Sequence, residues 1–251
     1  MRWITVAALS VCGTLAGAAA GICPAGAQTS PAPAREDLSE LLKRRDPPAI
    51  AELERRFTAI ADKNDKQKIA VVLLSRRQGD QPYFDFLAGY ARQAVLSDAP
   101  FPYRYDAAGK LVPGDLSPPF VAWAKAHKLD LETAVRRVFQ EYPTDVFFLS
   151  LASDPRATEI LLKGLESPNY MVIARAAFGL ARLQYTPAIR SIAAAAEHAP
   201  GELSLLIARN LALFDDAAAQ AAAERLIKDK QILAALREHA HQELTMNIGD
   251  S

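Results

Sequence analysis

Past residue 35 the apolar residues recur at helical spacing, in runs of about 10 to 16 residues separated by short polar or proline-bearing breaks. Leu38, Leu41 and Leu42 stripe a first helix that stops at Asp46-Pro47-Pro48. Ile50, Leu53, Phe57 and Ile60 stripe a second, ending in "DKNDK". "QKIAVVLLSRR" is apolar nearly all round, and "GDQP" turns it into "YFDFLAGYARQAVL". Runs of this length joined by connections of a few residues predict antiparallel helix neighbours.

The pattern is interrupted once. "SDAPFPYRYDAAGKLVPGDLSPP" carries five prolines and two glycines, which no helix survives. Within it "YRYDAAGKLV" predicts a small β-hairpin near 101–115, with Gly109 in the turn where a positive φ is needed. Ser117 followed by Pro118 restarts the helices, a hydroxyl cap before a proline in the first turn. "FVAWAKAHK", "LETAVRRVFQEY" and "TDVFFLSLAS" read as three further helices. From Asp154, a cap before Pro155, the helices come in pairs. Ala157, Ile160, Leu161, Gly164 and Leu165 form one stripe, and a last helix carries Ile232, Leu233, Leu236, Ala240 and Leu244 on one face.

Two of these segments echo each other. "VIARAAF" recurs loosely as "LIARNLA", with Ile173-Ala174-Arg175 matching Ile207-Ala208-Arg209 at a spacing of 34 residues. "FGLARLQYTPAIRSIA" resembles the HEAT-like repeat pattern, an Ala-Leu-Gly-x-Leu helix end, a Gly-Asp-Pro turn and an Ala-x-x-x-Leu helix start. Leu180, Ala181 and Leu183 match its second helix, and Ala188 and Ile192 the next first helix. Gln184-Tyr185-Thr186 departs from the turn. The resemblance implies an all-α fold, an α-solenoid of antiparallel helix pairs with the hairpin as an insertion, and a role in binding protein. It brings no catalytic residue, since no such family position is matched.

The N-terminus stands outside this pattern. Arg2, the apolar run 3–22 and the small-x-small Ala25-Gly26-Ala27 read as a secretory signal peptide, residues 1–27, followed by a Pro/Ala linker at 28–35. Helix pairs are expected over 36–98, the hairpin insertion over 99–117, the HEAT-like array over 118–245 and a short tail at 246–251. Cleavage predicts an exported protein, periplasmic or secreted, with no remaining membrane span. Cys12 and Cys23 leave with the leader, so the mature chain relies on packing rather than disulfides. Past residue 27 the chain holds 28 basic and 29 acidic residues, because Arg2 is the one charge removed. That balance carries no footprint for nucleic acid.

Candidate chemistry is sparse. There is no HExxH, no GxSxG, no glycine-rich phosphate loop and no dinucleotide fingerprint, so no catalytic, cofactor-binding or metal residue is assigned and no cofactor is expected. His239 and His241 are two apart on a helix and point in different directions. Asp62, Asp65, Asp215 and Asp216 sit at helix junctions, where caps are expected. Two groups suit protein binding. On the helix from Val172, Arg175, Phe178 and Arg182 fall opposite the stripe of Val172, Ile173, Ala176, Ala177, Leu180 and Leu183, with Arg209 repeating Arg175. Phe178 serves there either as part of a binding strip or as a ring packed against a neighbouring helix, since the inner helices of a solenoid are covered on several sides. On the hairpin, Phe101, Tyr103 and Tyr105 alternate and share a face, either as a contact patch or as a staple onto the helices. The leading expectation is a non-catalytic scaffold that binds another, unidentified protein. The alternative is an enzyme, a hydrolase or lyase, with a site built from dispersed acidic and Tyr residues.

Overall fold

The structure, a computed structural model, describes residues 37–76, 80–106 and 110–245. The expected signal peptide, the linker, Gly109 and the tail 246–251 lie outside these residues. What is described is mostly helical.

Caps set where the helices begin. Asp37 caps α1 (Leu38–Lys43), and Asp46 caps α2 (Pro47–Ala59) by accepting from the Ala49 N–H at 3.1 Å. Pro47, lacking an N–H that the first turn could not use, follows that cap. Next come α3 (Lys63–Arg76) and α4 (Gln81–Val95). Leu41, Leu53, Ile69 and Leu73 are fully buried between α1, α2 and α3, making a small core of their own.

The irregular stretch contains two antiparallel strands, β1 (Tyr103–Tyr105) and β2 (Leu111–Leu116). Tyr103 faces Leu116, while Arg104 faces Val112 and Tyr105 faces Leu111. The register shift between Tyr103 and Arg104 coincides with Gly114 at φ +79°, a bulge conformation that side-chain-bearing residues avoid. Ser117 then caps α5 (Pro118–Ala126), as its position before Pro118 predicts. Phe120, Trp123, Ala134 and Val138 close a second small core there.

One helix boundary differs from the sequence reading. α6 (Leu131–Val135) passes through a π-helical turn, Arg136–Glu141, into α7 (Tyr142–Leu151) without a break at Pro143. A proline ring clashes with the carbonyl four residues back and leaves it without a donor. The wider turn, in which the Tyr142 N–H reaches Arg137 C=O, accommodates this and keeps the chain helical.

After α7, a 3-10 turn at Pro155–Ala157 leads to α8 (Thr158–Gly164), then α9 (Tyr170–Arg182). A second such turn, Thr186–Ala188, leads to α10 (Ile189–His198). α11 (Gly201–Ala208) tightens into a 3-10 segment, Arg209–Leu213, before α12 (Ala217–Leu226) and α13 (Lys230–Thr245). α4 packs on α7, α7 on α9, α9 on α11 with its 3-10 end, and that end on α13. α8 lies against α9, α10 against both α11 and α12.

Positions doing the same job here are 31 residues apart, not 34. Asp154, Tyr185 and Asp216 each hold the N-cap position of the next helical segment. Leu149, Leu180 and Leu211 are all fully buried, as are Ala188 and Ala219 with Ala157 at 1 %. Leu161, Ile192 and Ala223 close the same core position in turn. The Ile-Ala-Arg echo is therefore out of step with the fold: in this register Arg175 corresponds to Thr144 and Leu206, and Arg209 to Phe147 and Phe178.

Polar side chains tie neighbouring layers. Ser150 Oγ on α7 lies 3.0 Å from Arg175 C=O on α9, and Asn210 Nδ2 donates to Ala174 C=O at 3.2 Å. Gln184, at φ +50°, donates to Leu213 C=O and accepts from the Asp215 N–H. Each bond satisfies a backbone carbonyl or, at Asp215, a backbone N–H while fixing the spacing between layers.

Candidate protein-binding face

α9 is covered on several sides, by α7, α8, α11 and the 3-10 segment after it. Ala176 and Ala177 are fully buried, as close helix approach requires. Gly179 has no room for a side chain: a Cβ there would sit 2.8 Å from both Ser150 Cβ and Leu161 Cδ1. This crowding decides between the two readings of Phe178 in favour of packing. A helical-wheel argument sets it opposite the apolar stripe, yet the ring is only 4 % exposed, because α7 closes over that side as well.

The ring that remains half-exposed is Phe147 on α7. Its centroid lies 5.7 Å from that of Phe178, with the planes tilted by 35°. The Arg175 guanidinium sits over the Phe147 ring, 4.5 Å from its centroid, and Arg182 lies 5.8 Å from Phe178. Arg182 Nε also donates to Ser153 Oγ at 3.0 Å. Burial pulls the Arg182 guanidinium below its ordinary pKa, and it remains a cation at any physiological pH. The result is a short strip of Arg175, Phe147 and Arg182, two guanidiniums set on rings. A guanidinium over an aromatic ring is steadied there by its attraction to the ring's electron-rich face, and it keeps its full charge. Arg209 opens the 3-10 segment one register step beyond Phe178 and is partly exposed.

The hairpin aromatics form a separate cluster. Phe101 is 7 % exposed and acts as a hub, about 6 Å from Tyr103, Tyr105, Phe139 and Tyr170. Tyr103 also meets Phe139 edge-on at 5.3 Å. The shared face expected from the alternation is thus turned inward onto the π-helical turn and the start of α9. Desolvation, with Glu202 and Tyr170 nearby, pushes the Tyr105 phenol up to about 12. This arrangement staples the strands to the helices.

A third group has no sequence signature. Asp145 on α7 is 3 % exposed, and its carboxylate takes Lys63 Nζ at 2.8 and 3.0 Å and Gln67 Nε2 at 2.8 Å. Lys63 in turn lies 4.8 Å above the Tyr90 ring. Burial raises the Asp145 pKa against the pull of Lys63 and Gln67, with Glu141 adding to the rise. Both carboxylate oxygens are engaged by α3, so the group works as a tie between α3 and α7. The partners stand 82 and 78 residues away in the chain, which is why no local pattern reveals them.

The remaining candidates resolve locally. Asp62 Oδ1 accepts from the Asp65 N–H, Asp65 pairs with Lys68, and Asp216 accepts from the N–H groups of Ala218 and Ala219. His127 and His198 each place Nδ1 on the carbonyl four residues back, at a helix end. His239 lies against Gln242. Among the described residues no cluster of three His, Cys, Asp or Glu could hold a metal ion, and no helix is long and apolar enough to cross a membrane. No family model, curated protein or solved structure matches the chain.

Proposed function

We propose that the chain is an exported α-solenoid of HEAT-like helix pairs, with the β1–β2 hairpin as an insertion, and that it serves as a non-catalytic scaffold holding another protein. The recurrence of caps and core positions every 31 residues supports the solenoid reading, since stacked units that cannot bury their own faces must reuse the same contacts. The hydrophobic leader before Ala27 supports export to the periplasm or the medium. The observation that carries the binding role is Arg175 lying on the half-exposed Phe147 with Arg182 beside it. Arginine and aromatic side chains dominate interface hot spots because one group supplies area at low entropic cost and the other a directed charge. The partner recognised by such a strip presents carboxylates.

Crosslinking in intact cell envelopes tests this. A discrete adduct is expected with the wild-type chain, reduced when Arg175→Glu and Arg182→Glu are combined and retained with lysine at both positions. An adduct of equal yield in all three forms would remove the strip from the account. The mature N-terminus is expected at Gln28, and a chain that keeps its leader would remove the export reading.

A further inference from the structure

α12 and α13 leave between them a cleft of about 350 Å³, close to the lower end of the range of ligand pockets. Its floor is apolar: Ile227 is 3 % exposed and Leu233 5 %, and the exposed Ala234 lines the side. Its rim is cationic. Lys228 and Lys230 flank the opening, and neither takes part in an ion pair among the described residues. The one acidic lining group, Glu224, is already engaged by Arg237 Nη2 at 2.8 Å.

Arg237 is also held in place from behind. Its Nε donates to Gln220 Oε1 at 3.0 Å, and Gln220 Nε2 donates to Phe214 C=O at 2.8 Å, just past the 3-10 segment that ends α11. The guanidinium is thereby oriented at the cleft wall with Nη1 unengaged among the described residues. A guanidinium held by Gln220 and Glu224, two ammonium groups at the mouth and an apolar floor are complementary to one kind of ligand. We propose that this cleft binds a carboxylate carried on a short apolar body. The apolar part lies on Ile227 and Leu233, and the carboxylate meets Arg237 with Lys228 and Lys230 closing over it. This site is separate from the Arg175 strip and stands or falls independently of it.

Two sources can supply such a group, a free organic acid or the C-terminal residue of a peptide, and titration calorimetry on the full chain distinguishes them. The probes are 3-phenylpropanoate and an acetylated dipeptide ending in leucine, each compared with its amide. Binding by both acids assigns the site to free carboxylates. Binding by the peptide acid alone assigns it to a partner's C-terminus. In either case the amide should bind at least about tenfold more weakly, as loss of one charge-assisted contact predicts. Lys228→Glu combined with Lys230→Glu should weaken the acid by a similar factor while the unfolding midpoint stays put, since both side chains are exposed. The proposal is overturned if neither acid binds, if acid and amide bind alike, or if the charge reversal leaves affinity unchanged. The amide comparison uses the wild-type chain, so it decides even if the variant fails to fold.

Discussion

Replacing Phe178 by alanine separates packing from binding on α9. The ring is 4 % exposed and meets Phe147 at 5.7 Å and the Arg182 guanidinium at 5.8 Å. Truncating a buried phenylalanine costs roughly 3–5 kcal/mol, the spread reflecting how far the surroundings refill the space. Here Arg182 has a flexible stem that can move into part of the cavity, whereas Gly179 and the tight α7 contact hold the backbone in place. The lower end, about 3 kcal/mol, is therefore expected. For a domain near 200 residues that is a melting-point drop of roughly 6–12 °C. Urea unfolding followed by helical circular dichroism measures it, with Phe147→Ala alongside. Phe147 is half-exposed, so its loss should cost about 1–2 kcal/mol. If Phe178→Ala unfolds within about 1 kcal/mol of wild type, the ring is not a core residue and the packing described around α9 is wrong.

Gly179→Ala should destabilise by about 1–3 kcal/mol despite alanine's better helix propensity, because the added methyl meets Ser150 and Leu161 at 2.8 Å; equal or higher stability in thermal unfolding would contradict that closeness. Asp216→Ala removes an acceptor for two N–H groups at the start of α12, and a loss of about 1 kcal/mol is expected in urea unfolding, against no change if the cap is idle. Asp145 has a raised pKa, so below the ordinary carboxylate value of 3.8 the group is neutral in both folded and unfolded chains. As the pH climbs from there through the folded pKa, the unfolded chain ionises more readily and stability is lost. Asp145→Asn should consequently gain on wild type across that window and then hold a constant difference. A difference that moves toward wild type with rising pH would show that the Lys63 pair outweighs burial. Asp145→Ala leaves the buried Gln67 Nε2 without its acceptor and should cost about 1–3 kcal/mol at pH below that window, the difference shrinking as the pH climbs through it.

What was legible in the sequence follows the range of the forces involved. Ser117, Asp154 and Asp216 act within three residues of themselves, and the caps they predict are present. The paired strands around Tyr103–Tyr105 were likewise readable from prolines, glycines and alternating aromatics. The segments either side of Pro143 read as separate helices; only the π-helical turn before it, which accommodates the proline ring, carries the helix through. For Phe178 a helical wheel alone leaves packing and binding open, because it divides a helix into two sides and α9 is covered on more than two. The repeated Ile-Ala-Arg is chemically identical but structurally out of step, whereas the 31-residue spacing keeps only apolar, buried character at Leu149, Leu180 and Leu211 and at Leu161, Ile192 and Ala223. Asp145 with Lys63 and Gln67 left no trace, since their proximity exists only after α3 meets α7.

The central claim is that the Arg175–Phe147–Arg182 strip holds a carboxylate-bearing protein, and site-specific photocrosslinking tests it most directly. A photoreactive phenylalanine is placed at Phe147 in one chain and at Leu96, 68 % exposed and on α4's C-terminal end, in another. The account predicts one discrete adduct from position 147, none of that species from position 96, and its loss when Arg175→Glu is added while the unfolding midpoint is maintained. No adduct from position 147, or the same adduct from both positions, would contradict it.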